Sequence, residues 1–405
     1  MEVKEPSATY RLGALRETEV GPVPADWNIV RLGEITDPDR PISYGIVQTG
    51  PRVLNGVPCL RVVDIQDGKV QLDDLITTST EISNSYRRTK LREGDLVVPL
   101  RGKVGECAQV PASLVDANLT RGVAIVALLP QFSAGFCRQF FSSTRSRARL
   151  YGAMNGSALQ EVPIATLRTF KIAVPPTSEE QRAITQALSD ADTLIDSLQH
   201  LLTKKLQIKE GAMQELLTGK RRLPGFSGEW MMSPLGDLAK IKTGSMNNQD
   251  KVADGAFPFF VRSQTVEQID TFTHDCEAIL IPGEGGIGSI FHYVNGRFAL
   301  HQRVYGITEF SVDLLGRFLF FYVRVFFAAH AMQNSVKATV DSLRRPTFLD
   351  FEVRVPPTMD EQAAIVKVLS DLEDEADAID SRLTKARALK QAMAQALLTG
   401  KIRLI

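Results

Sequence analysis

The sequence predicts a tandem duplication of mixed α/β (α+β) domains. Each is followed by one long helix, and the two helices pair as an antiparallel coiled coil about a pseudo-twofold axis. Three observations predict this. A 50-residue segment starting at Val174 recurs without a gap from Val355, 181 positions on, with 24 identities. Both copies carry apolar residues at 4-3-4-3 spacing, the seam of a coiled coil. The stretches before them echo each other more weakly. Trp27 with Leu32-Gly33 matches Trp230 with Leu235-Gly236, and Pro99 and Gly105 match Pro282 and Gly288. This is one duplication, too long in period for a solenoid. The boundaries read as an N-terminal extension (1–25), a first variable domain (26–173), a first helix (174–223), a second variable domain (224–354) and a second helix (355–405).

In the variable domains, short strand-like runs (CLRVVDI, DLVVPL, AIVALL; FPFFV, AILIP, RVYGI) are punctuated by glycine and proline. A helical stretch follows in each, SAGFCRQFFSSTRSRARL and SVDLLGRFLFFYVRVFFAAHAM. The repeated segments open on Pro175-Pro176 and Pro356-Pro357, tolerated only at a helix start. Thr177 and Thr358 are the predicted N-caps, with Glu180 and Glu361 as capping-box partners. Gly219 and Gly400 stop the helices, with lysine and arginine beyond to meet the dipole. The seam runs through Ile184, Leu188, Ile195, Leu198 and Leu202, and through Ile365, Leu369, Leu372, Ile379 and Leu383. About forty residues at 1.5 Å make a rod of about 60 Å. Each helix is acidic early (Asp190, Asp192; Glu373, Asp374, Glu375) and basic late (Lys205, Lys209; Lys385, Lys390). Opposite charges meet only if the helices run antiparallel. That pairing would place the variable domains at opposite ends of the rod.

Composition narrows the function. With 44% hydrophobic and 23% charged residues, the chain is of ordinary globular type. The longest apolar run, near Leu314–Met332, is broken by Arg317, Arg324 and His330, so no membrane span is expected. The first residues are polar, excluding a signal peptide. Four scattered cysteines without a CxxC pair fit a reducing cytoplasm and argue against a zinc site. Net charge is zero, and the four segments from 1–173 to 355–405 lie between +3 and −2. Any DNA contact must therefore come from local clusters.

Motifs for chemistry are absent or misleading. Gly283-x-Gly285-x-x-Gly288 matches a dinucleotide fingerprint, but the following SIFHYV is strand-like where a phosphate-binding helix is required. The five histidines show no metal spacing. No nucleophile elbow, Walker loop or catalytic-cysteine context appears, and the PPT runs lack the asparagine of an adenine-methyltransferase loop. The chain reads as a binding protein without catalytic or metal residues. Polar-basic loops recur in both domains. The first offers Arg87, Arg88, Arg101, Lys103, Asn118 and Arg121. The second offers Lys242, Thr243, Asn247, Asn248, Arg262, Gln264, His301, Gln302, Arg303 and Arg344. Arginine forks suit guanine, amides suit adenine, and lysine suits phosphate. Each could equally be a solvated loop residue.

The whole chain from about Val20 resembles the specificity subunits of type I restriction-modification enzymes. The resemblance rests on the duplicated order, the PPT-x-x-EQ helix starts, the LLTGK-x-R-L helix ends, the W-x4-LG openings and the run from Ala278 to Ile307. It implies two target-recognition domains, each reading one half of a bipartite site in double-stranded DNA, with the helices as a ruler. It implies two methyltransferase subunits that methylate adenine with S-adenosylmethionine. It also implies two restriction subunits, where present, that use ATP and magnesium; this chain itself would hold no cofactor. Two alternatives stand beside this reading: a scaffold that binds methyltransferase subunits without productive DNA reading, and a free-standing enzyme with a pocket near 282–289.

Overall fold

The computed structural model describes residues 10–11, 15–155, 160–286, 288–333 and 342–404. It divides into two compact units, one holding the chain up to Ser197 together with 382–405, the other Leu198–Ser381. Each unit thus contains one variable domain and a part of both long helices, Ser178–Leu216 and Met359–Leu397. The N-terminal residues 1–9 and 12–14 and the segment 334–341 lie outside the described residues.

In the first unit a sheet runs in the order Ala108–Gln109, Leu96–Pro99, Val123–Val126, Ser43–Tyr44, all antiparallel. Beside it Val57–Leu60 pairs parallel with Asn118–Leu119 and antiparallel with Ile76–Thr78. The strand expected through CLRVVDI ends at Leu60, because Val62–Asp64 turns into a short 3-10 helix whose Asp64 carboxylate takes the Arg61 backbone and guanidinium. The helical stretch forms as two helices, Ala134–Ser142 and Thr144–Gly152. Ser143 ends the first, and its hydroxyl accepts from the Ser146 N–H to start the second. Trp27, Phe136 and Phe141 fill the core with Ile184 and Leu188 of the first long helix, Leu397 at the end of the second, and Leu398 just beyond it.

The second unit repeats this plan in a six-stranded sheet. Its order is Lys240–Thr243, Val304–Thr308, His274–Pro282, His292–Leu300, Phe257–Phe260, Glu267–Ile269, and only Phe257–Phe260 pairs parallel, with His292–Leu300. The registers coincide: Pro99 faces Val123 as Pro282 faces Val304, and Leu60 faces Leu119 as Phe260 faces Leu300. Helix Gly316–Gln333 begins after SVDLL rather than within it. Its Phe318, Phe321 and Phe327 join Met213, Leu216, Ile365 and Leu369 from the long helices in one core. The FPFF aromatics are likewise core, Phe259 and Phe260 being buried.

All ten predicted seam residues are buried or half-buried. Within each unit the long-helix segments run antiparallel, and the expected charges meet. Asp192 pairs with Lys390 in the first unit; in the second Lys205 pairs with Glu375, and Lys209 with Glu373 at 3.0 Å. The threonine caps form: the Thr177 and Thr358 hydroxyls accept from the N–H of Glu180 and Glu361 at 3.2 and 3.3 Å. Gly219 and Gly400 sit at φ +70° and +67°, where glycine ends a helix without strain.

The capping-box role of the glutamates is corrected. Glu180 is buried, and its carboxylate binds Arg403 through two guanidinium nitrogens, one at 2.7 Å. Glu361 does the same with Arg222, also at 2.7 Å. The arginines expected to meet the helix dipole lie beyond the helix ends and fold back onto the start of the other helix. Arg403 also grips Asp26 at 2.9 and 3.0 Å and so lowers its carboxyl pKa. The guanidiniums of Arg403 and Arg222 lie over Trp27 and Trp230, 5.9 and 5.6 Å from the ring centroids.

Removing one partner of a buried, hydrogen-bonded ion pair costs about 3–5 kcal/mol, because the other charge is stranded. Arg403→Met is therefore expected to lose that much in denaturant unfolding, and adding Glu180→Gln should restore most of it. A loss in the single variant below about 1 kcal/mol would show that the junction does not hold the first unit together.

Glu373 gives a pH test. Burial alone would push its carboxyl up, but hydrogen bonds from Arg324 and Lys209 outweigh this and hold it below the ordinary value. A depressed carboxyl contributes stability above its unfolded pKa of about 4.3 and loses it as pH falls through the lower folded value. The drop in Tm between neutral and acid pH should shrink in Glu373→Gln. Equal drops in both proteins would remove Glu373 from the acid response.

Candidate nucleic-acid interface

The same backbone frame presents polar side chains in both units. Gly45 and Gly244 cross Leu119 and Leu300 so closely that a Cβ on either would stand 2.0 Å from the leucine carbonyl oxygen. The turn after that leucine is thereby fixed: the Arg121 N–H donates to Ile46 and the Gln302 N–H to Met246, both at 2.9 Å. Facing the turn is a glycine loop. Gly102 and Gly105, like Gly285 and Gly288, adopt positive φ. Gly105 and Gly288 also abut a helix, since a Cβ would stand 2.4 Å from Arg147 or 2.6 Å from Ala328. The run that resembled a dinucleotide fingerprint is this loop, and a strand, His292–Leu300, follows it.

In the second unit this frame gathers five of the predicted residues. Gln302 donates to the Asn247 side-chain oxygen at 2.5 Å, and Asn247 is held through its N–H by Asp250. Arg303 and Arg262 each donate from Nη1 to one oxygen of Glu284, at 2.9 and 3.2 Å. His301 is buried beneath, its Nδ1 accepting from the Arg303 N–H at 3.0 Å. Burial first, then the charges of Arg262 and Arg303, hold its pKa below the ordinary value, which favours the neutral ring that this acceptor role needs. His301 therefore supports the turn from below. Tyr305 lies beside the loop, its ring 2.8 Å from where a Cβ on Gly283 would stand, and Arg344 is exposed just before the helix Arg345–Leu349. Lys242 and Thr243 are exposed on their strand, opposite Gly306 and Tyr305. Asn248 and Gln264 are exposed on neighbouring turns.

The first unit is sparser. Arg121 is exposed on the turn, and Arg101 lies over Gly122, its Nε 3.1 Å from where a Cβ would stand. Arg87 and Arg88 are exposed on a 3-10 turn, Arg87–Thr89. Two candidates are corrected. Asn118 is wholly buried, its amide joining the Ser83 hydroxyl at 2.6 Å to the Tyr86 carbonyl at 3.3 Å, so it is an interior strut. Lys103 bends back, its Nζ donating to the Ile65 and Val63 carbonyls at 3.0 and 3.3 Å, so it anchors the loop.

Glu284 was not among the residues expected from the sequence, although an acid among arginines in a loop matching Arg101-Gly102-Lys103 was the available signal. Among the described residues no group of three or more histidine, cysteine, aspartate or glutamate side chains could hold a metal, and no helix is long and apolar enough to cross a membrane.

Comparison with known proteins places this architecture. A family model described as the type I restriction modification DNA specificity domain matches residues 227–386. The chain is 26% identical over 204 residues to the type I restriction enzyme EcoBI specificity subunit of Escherichia coli, covering 49% of this chain and 42% of that one. The chain thus spans less than half the length of that relative. It is 22% identical over 428 residues to the putative type I restriction enzyme MjaX specificity subunit of Methanocaldococcus jannaschii, covering 97% and 98%. The crystal structure of a type I restriction-modification S subunit from M. genitalium shares the fold, with a TM-score of 0.62 at 14% identity over 92% of this chain and 96% of that one. The type I restriction modification DNA specificity domain thus matches residues 227–386, and along nearly its whole length this duplicated chain is similar to a type I specificity subunit.

Proposed function

We propose that the chain reads a bipartite target in double-stranded DNA, one half-site per variable domain, and directs adenine methylation by partner subunits. The observation that carries this reading is the shared frame with unlike contents. At one backbone position the first domain presents Arg121-Gly122 and the second Gln302-Arg303, the latter over the buried His301. A fixed turn with exchangeable side chains is what two different short sequences require of one fold, since base edges are told apart by donor and acceptor pattern. The chain itself is non-catalytic. S-adenosylmethionine belongs to two methyltransferase subunits, and ATP and magnesium to two restriction subunits. The long helices offer apolar residues for such partners: Leu201, Leu206 and Ile208 in the second unit, Leu194 and Leu389 in the first, all exposed. Three buried free thiols, Cys59, Cys107 and Cys137, suit work in the cytoplasm.

The test is to co-express the chain with a methyltransferase encoded beside it and map methylated adenines by single-molecule sequencing. A split motif, two short blocks around a constant unread gap, is expected. Replacing 224–354 by the second domain of another family member should then change one block only. Loss of both blocks would mean that the domains read jointly, and no methylation from an assembled complex would favour the scaffold alternative.

Two single variants separate reading from support. Arg121→Ala should keep the melting temperature and degrade the first block, with a penalty of about 1–3 kcal/mol if the fork reads a base. Asn118→Ala should instead cost about 1–3 kcal/mol of stability, by stranding buried polar groups, and leave the motif intact. The reverse pattern would overturn the assignment of either residue.

A further inference from the structure

We propose that Glu284 is a specificity-determining residue of the second domain, a positioning carboxylate that fixes Arg262 and Arg303 as one donor pair for the guanine of a G·C base pair. This rests on the DNA-reading function proposed above and assigns it a chemistry.

Each Glu284 oxygen takes one arginine, through Nη1 in both cases. A guanidinium carries five donor hydrogens, so Nε and Nη2 of both residues keep theirs, and a fork of that kind matches guanine O6 and N7. The three side chains are 44%, 58% and 23% exposed for Arg262, Arg303 and Glu284. Exposed ion pairs contribute little to stability, so folding gives no strong reason for the triad. The first unit supplies the contrast. There the matching loop position holds Arg101, which lies over Gly122, the counterpart of Arg303. The positive-φ glycines persist while the charge reverses. A residue needed only to shape the loop would keep its chemistry along with the glycines; Glu284 instead changes with the reading surface.

The carboxylate has an electrostatic consequence. Two unrestrained arginines would seek phosphates, which attract them regardless of sequence. With Glu284 between them the cluster carries one net positive charge rather than two, and the guanidiniums are aimed. Non-specific affinity falls while discrimination rises.

The experiment compares the wild-type chain with Glu284→Gln and Glu284→Asp, each co-expressed with the methyltransferase, by methylation mapping and by affinity for non-specific duplex against salt. For Glu284→Gln, the first half-site should be unchanged and one or two adjacent positions of the second should accept further bases. Non-specific affinity should rise several-fold, with a salt slope steeper by about one phosphate contact. Glu284→Asp should restore much of the discrimination. If Glu284→Gln does not assemble, Arg303→Gln reads the same positions and should relax them. An unchanged motif and salt slope, or equal decay of both half-sites, overturns the proposal. A wild-type split motif without a G·C pair in the second half-site overturns this proposal alone, whereas a wild-type complex with no split motif overturns the DNA-reading function as well.

Discussion

The structure depends on one junction, made twice. In each unit a glutamate three residues into a long helix binds an arginine that follows the end of the other long helix, and a tryptophan from the start of the domain lies beneath that arginine. The members are Glu180, Arg403 and Trp27 in the first unit and Glu361, Arg222 and Trp230 in the second. Every segment of the repeated pattern meets here: PPT-x-x-EQ gives the acid, LLTGK-x-R-L the base, and W-x4-LG the ring. The adjacent glutamine completes it. Gln181 accepts from the Ser133 N–H and Gln362 from the Leu315 N–H, which ties each domain's own helix to the junction. A buried ion pair adds little net stability over an apolar contact, but it is intolerant of mispairing. It therefore specifies which helix end meets which helix start.

A second pair of acids extends the same logic along the helices. Asp192 takes Gln139 and Lys390, while Glu373, at the equivalent position, takes Arg324 and Lys209. Each gathers one donor from the domain's helix and one from the opposite long helix. The domains are thus held by polar bonds of fixed geometry as well as by the shared apolar cores, and the outer loops are free to differ. Close approaches such as Gly45 on Leu119 and Gly244 on Leu300 then carry that fixed frame out to the turns.

What was legible in the sequence follows from the range of each interaction. Helix starts, stops and the seam could be read because caps and heptads act within a few residues, and internal repetition supplied the comparison. The Glu180–Arg403 pair spans 223 residues and Glu361–Arg222 spans 139, so local rules assigned both glutamates to a capping box. The interface misread in the same way. Asn118 has the composition of a base reader, yet Ser83 and Tyr86 draw it inward. Lys103 looks like a phosphate ligand, yet two carbonyls lie within its reach. Residue type reports what a side chain can bond; only the fold decides which partner arrives first.

The charge balance now has a physical meaning. A neutral chain is a poor match for a polyanion when affinity comes from a broad basic field. Here many cations already serve the interior or its margins: Arg403 and Arg222 at the junctions, Arg40 on Asp95, Arg61 on Asp64, and Arg317 and Arg324 on Glu373. Of the loop cations, Arg101 and Arg121 stand next to Gly102 and Gly122, and Arg303 lies on the turn that the close approach of Gly244 fixes. In the proposed function such a chain contributes discrimination rather than attraction, and the bulk of phosphate contact falls to the partner subunits. A DNA-reading chain that clung to every phosphate would slow its own search, because sequence-independent binding competes with recognition at every site along the duplex.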